Sequence, residues 1–106
     1  MIIIDSAIEK KKLNVLVIGD ESHKVGYKKI IENYNYKFLF IDGVSHKKQR
    51  SIGLVKKADI VILMIRNLTH QSIELMCKYK KEDAKIIRMY ASGIAFFKRE
   101  LEKSLA

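Results

Sequence analysis

The chain has 106 residues, 48% of them apolar, with 21 Lys and Arg against 12 Asp and Glu and a formal net charge of +9. That length supports one small hydrophobic core, and that apolar share excludes a disordered basic tail. No apolar run nears the roughly 18–20 residues that span a bilayer, and the one cysteine, Cys77, has no partner for an internal disulfide, as suits a reducing cytoplasm.

Met1, Ile2, Ile3 and Ile4 are apolar, too short for a signal-peptide core, and followed by the charged run Lys10-Lys11-Lys12. Residues 1–12 read as an arm ahead of a single Rossmann-like domain of residues 13–106. The arm would add an edge strand, form a short helix, or dock on a protein partner or a second copy. Val15-Leu16-Val17-Ile18, running into Gly19 and Asp20, has the composition of a strand covered on both faces. Gly19 lets the chain turn sharply, and residues 24–34 then have helical spacing. Tyr27, Ile30, Ile31 and Tyr34 share one face of that helix, with Asn35 as a left-handed cap. A second strand covers residues 36–41 and ends at Asp42-Gly43.

Ser45 opens a second helix that runs to Lys57, with Ile52 and Val55 on its inner side. It carries Lys47, Lys48, Arg50, Lys56 and Lys57 and no acid. The apolar run from Ala58 to Ile65 reads as a central strand. A third helix over residues 69–81 turns Ile73, Met76 and Cys77 inward, and residues 84–89 form a fourth strand. The last helix starts near Ser92 and sets Ile94, Phe97, Leu101 and Leu105 along one face. Strands alternating with helices predict parallel pairing through right-handed crossovers. The expected fold is an α/β three-layer sandwich with a four-stranded parallel sheet, in the flavodoxin-like order 2-1-3-4 or the half-Rossmann order 3-2-1-4.

In such a fold the loops that follow the strands share one edge of the sheet, and ligands bind there. Those loops hold His23, His46 and His70, and with them Gly19, Asp20, Asp42, Arg66 and Ser92. Helix N-termini and Lys24, Lys47, Lys48 and Arg66 would attract an anion, although Ser45, Thr69 and Ser92 also suit simple helix caps. The three histidines with Asp20 or Asp42 have no spacing diagnostic of a metal site. The first turn, Gly19-Asp20-Glu21-Ser22-His23-Lys24, lacks the second and third glycines of a dinucleotide fingerprint. The third strand ends in Met64-Ile65-Arg66, without the phosphoacceptor aspartate of a receiver domain. No P-loop, nucleophile elbow or zinc-protease motif occurs. No catalytic residue, metal or cofactor is therefore expected, and an enzyme ranks behind a binding role.

Val15-Leu16-Val17-Ile18-Gly19, Tyr27, Asp42-Gly43, Ala58-Asp59-Ile60-Val61-Ile62, Thr69-His70, and Ser92-Gly93 with Phe97 and Leu101 together resemble the bacterial domain-of-unknown-function family 2325. The likeness covers residues 14–101. It implies a Rossmann-like fold in a bacterial cytoplasm and carries no activity with it. His70 matches the histidine that follows the third strand in that family, and Asp20 stands where the family has a second glycine.

The expected function is that of a small, basic, non-enzymatic module associated with nucleic acid, an accessory subunit or partner of a DNA replication or mobile-element enzyme. Lys24, Lys47, Lys48, Arg50, Lys56 and Lys57 would contact phosphates. Tyr27, Tyr34, Tyr36 and Tyr79 lie near lysines and would stack on bases, unless they serve only helix–sheet contacts, the stronger expectation for Tyr27 and Tyr34. The alternative is a small-molecule or nucleotide (anion) binding domain that uses Gly19, Asp20, Asp42, Arg66, His70 and Ser92. A surface on which lysine is merely the default residue accounts for the same charge without either.

Overall fold

A computed structural model describes residues 12–42, 48–68, 70–91 and 93–105. Residues 1–11 of the expected arm, the helix opening at Ser45, and His46, Lys47, Thr69 and Ser92 lie outside the described residues. The strands are β1 (Asn14–Gly19), β2 (Lys37–Asp42), β3 (Ile60–Met64) and β4 (Lys85–Met89), and the helices are α1 (Lys24–Asn33), α2 (Lys48–Lys57), α3 (His70–Tyr79) and α4 (Ile94–Leu105). All strand pairs are parallel, in the order β2-β1-β3-β4. Of the two orders open from the sequence, this is the flavodoxin-type one.

Alternation along the strands divides the core in two. Val15, Val17, Ile60, Ile62, Met64, Ile87 and Met89 meet Tyr27 and Ile31 of α1 and Phe97 and Leu101 of α4. Leu16, Ile18, Ile41, Val61 and Leu63 meet Val55 of α2 and Met76 of α3. β3 is buried along its whole length, which is why its sequence is continuously apolar. The end of α1 follows from Asn35, whose φ is 65°. Asn35 N–H donates to Glu32 O at 3.0 Å and Tyr36 N–H to Ile31 O at 3.4 Å, the paired bonds of a Schellman motif. That motif swings the chain directly into β2.

Two expectations are corrected. Cys77 is exposed: α3 buries Met76, and the next residue of a helix lies about 100° away from that inward direction. Ile94 is 37% exposed, since it starts α4 above Gly26 rather than over the sheet. Gly19 ends β1 without a positive φ, which no described glycine has. A Cβ on Gly19 would stand 2.6 Å from Met64 Cγ and 3.0 Å from its Cβ, so glycine is there to let the ends of β1 and β3 close together.

Asp59 ties the opposite edge of the sheet. Its carboxylate accepts the Asn14 N–H at 2.8 Å and the Lys81 ammonium at 2.7 Å. Its own N–H donates to Asn14 O, and its carbonyl accepts from Lys85 N–H. One residue thus fixes the entry of β1, β3 and β4. The Lys81 hydrogen bond, then that of Asn14, holds the Asp59 carboxyl below its ordinary value of 3.8. Its stabilising contribution is therefore full above that ordinary value and is lost as pH falls through the depressed one. Asp59→Ala is expected to destabilise the fold by about 1–2 kcal/mol at neutral pH, chiefly by leaving the Asn14 N–H without its acceptor. The difference from wild type should shrink on acidification below about pH 4, as urea midpoints across pH will show.

Candidate nucleic-acid interface

β2 and β4 are the two edge strands among the described residues, and the groove lies beside β2. Lys37 N–H donates to Leu13 O at 2.9 Å, so the main-chain groups of Lys37, Leu39 and Ile41 face β1. The pleat directs those of Phe38 and Phe40 away from the sheet. A groove of about 600 Å³ runs along this edge. Its first wall is α1, where Lys24, Lys28 and Glu32 recur at intervals of four on one flank. Its second wall is α2, through Arg50 and Leu54, and Lys12 and Lys37 stand where β2 begins. Tyr36, Phe38, Leu39 and Phe40 form the floor, all half-buried.

The five cations of the groove, Lys12, Lys24, Lys28, Lys37 and Arg50, are exposed, against the one carboxylate of Glu32. Like charges gathered over an apolar floor give a field that draws in polyanions. The floor is aromatic because alternate residues of β2 share a face. The Phe38 and Phe40 rings stack with centroids 6.1 Å apart and planes 22° apart. The Lys24 ammonium stands 5.4 Å from the Phe40 centroid, a cation–π distance. Tyr36 stacks in turn on Tyr34 at 6.1 Å.

Of the residues expected to contact phosphate, Lys24 and Arg50 meet in this groove. Lys56 turns away, its ammonium 5.7 Å from the Tyr79 centroid. Lys57 ends α2, where its carbonyl accepts the Asn14 side-chain amide at 3.1 Å. Lys48 opens α2. The sequence reading missed Lys12, Lys28 and Lys37. Lys28 was within reach, four residues from Lys24 on the same flank; Lys12 and Lys37 needed the strand order. Among the tyrosines, Tyr27 is fully buried, 4.4 Å from the Phe97 ring, and is closed to any base. Burial first, and the Asp20 charge second, push its hydroxyl pKa up.

The strand-end set is placed as the fold dictates. Gly19 pairs in register with Asp42, Arg66 lies exposed in a 3-10 turn of Ile65–Asn67 after β3, and His70 lies exposed at the start of α3. Asp20 accepts the Ser22 N–H at 3.0 Å and caps the 3-10 turn Glu21–His23. That backbone hydrogen bond, aided by the Ser22 side chain, lowers its pKa, and its negative charge opposes phosphate at the first loop. His23 Nδ1 lies 3.2 Å from Ser22 Oγ and 3.9 Å from Asp20 Oδ2, and its ring stacks on Tyr27. Among the described residues no three His, Cys, Asp or Glu side chains gather to hold a metal ion.

The fold and the groove define a small doubly wound α/β protein with a basic, aromatic edge. The chain belongs to DUF2325, a family of uncharacterized proteins conserved in bacteria, whose model matches residues 14–104. No curated protein matches the chain, and no solved structure does. Among the described residues no helix is long and apolar enough to cross a membrane.

Proposed function

We propose that this chain is a non-enzymatic, nucleic-acid-binding module that works as an accessory to a larger machine in the bacterial cytoplasm. The observation that supports it is the groove beside β2, where Lys12, Lys24, Lys28, Lys37 and Arg50 converge from separate parts of the sequence over an aromatic floor. A scatter of default surface lysines has no reason to line one groove on both walls. The exposed thiol of Cys77 suits a reducing compartment.

Fluorescence anisotropy titrations of labelled single-stranded DNA, duplex DNA and RNA, each at low and physiological salt, test the reading. Binding that survives at physiological salt and weakens with a steep logarithmic salt slope supports it. Binding that vanishes there reduces the charge to surface composition. His70→Ala should leave the affinity unchanged, since His70 follows β3 and not the groove.

A further inference from the structure

From the geometry of the β2 edge we infer that the groove takes nucleic acid as an extended single strand, with bases on the Phe38 and Phe40 rings and phosphates on the flanking cations. The inference rests on the nucleic-acid reading of the same groove and narrows it. Three observations carry it.

The first is the spacing of the floor. The Phe38 and Phe40 centroids are 6.1 Å apart, nearly twice the rise of about 3.4 Å between stacked bases in a duplex. As the two rings stack on each other, a base on the outer face of each demands a strand whose bases are drawn apart, which a free single strand allows and a duplex does not. The second is the depth of these rings. They are half-buried on the α1 face of the β2 edge, so flat groups reach them most readily, and a duplex keeps its base faces inside its own stack. The third is the arrangement of charge. Lys24 and Lys28 stand on one wall and Arg50 on the other, with Lys12 and Lys37 at the end where β2 begins. Cations on both sides of an aromatic row suit a backbone that tracks the groove while its bases turn inward. The Lys24 ammonium now stands over the Phe40 ring. An arriving base would displace it, and the adjoining phosphate would receive it. β2 has six residues and so runs about 20 Å, room for a few nucleotides.

The outward main-chain groups of Phe38 and Phe40 are also the chemistry that adds a strand to a sheet edge. An extended acidic peptide would use them together with the lysines. It would leave the ring faces without a flat partner, which is why the single strand is favoured.

The test compares four probes on the wild-type chain at physiological salt: an oligothymidylate of about 12 nucleotides, the same length of abasic strand, a duplex, and a poly-glutamate peptide. Oligothymidylate is expected to bind most tightly. The abasic strand, which keeps the phosphates, is expected to bind more weakly by at least the roughly 5- to 100-fold that one stacked base contributes in single-strand binders. Phe38→Leu and Phe40→Leu keep an apolar floor and should each reduce that difference, and the double variant should erase most of it, while the salt slope stays unchanged. If abasic strand and duplex match oligothymidylate, the single-strand inference fails and the nucleic-acid reading stands. If no nucleic acid binds, both fail. If poly-glutamate binds more tightly than every nucleic acid, the edge is a peptide site and both are overturned.

Discussion

Phe97→Ala is expected to lower the unfolding free energy by about 3–5 kcal/mol, the range for large aromatic truncations in a close-packed core. Phe97 has no exposed surface, and its ring meets Tyr27 at 4.4 Å with planes 30° apart. α4 and α1 lie on the same face of the sheet, and this pair joins them in its core. Truncation opens a void that the strands beneath, already tightly paired, cannot close. Small domains hold only about 5–15 kcal/mol in total, so the variant should unfold at much lower urea with a similar slope. Ile94→Ala in the same helix is the control. That side chain is 37% exposed, and its loss is expected to cost less than about 1 kcal/mol.

The second large effect concerns binding. The triple variant Lys24→Ala, Lys28→Ala, Arg50→Ala removes cations from both walls of the groove. Each phosphate contact with a single strand contributes about 0.7 to the logarithmic salt slope, so losing three should flatten it by about 2 and weaken binding about a hundredfold near 0.1 M salt. All three side chains are exposed, and thermal stability should hardly change. Lys56→Ala with Lys57→Ala removes nearly as much charge from outside the groove and is expected to alter affinity far less. Losses in proportion to the charge removed, three against two, would mean that net charge, not the groove, attracts the ligand.

The contrast between those two variants also shows how far the sequence could be read. Strands and helices were legible because Val15-Leu16-Val17-Ile18 and the run through Ile60–Met64 are buried on both faces, and because α1 keeps its apolar residues at helical spacing. Asn35 announced its left-handed cap. Cys77 and Ile94 were placed inward because apolar periodicity tells which residues suit a face but not how an amphipathic helix is rotated when its stripe is broad. Lys56 and Lys57 were grouped with Arg50 by sequence proximity, yet Lys56 lies over Tyr79. Lys12 and Lys37 join Lys24 only because β2 lies outside β1, a fact of strand order that no local pattern carries. The strand-end loops drew attention because polar residues collect there in any such fold. The structure gives Gly19 to contact with Met64 and Asp20 to capping, which leaves those two residues with ordinary structural work.

The most direct test of a nucleic-acid groove beside β2 is a map of backbone amide chemical shifts during titration with oligothymidylate at physiological salt. The groove predicts saturable shifts centred on Lys24, Lys28, Arg50 and the β2 residues Lys37–Asp42, with little change at Arg66 and His70. Shifts centred instead on Asp20, Arg66 and His70 would move the site to the strand ends and contradict the account, and so would a spectrum that does not move at all.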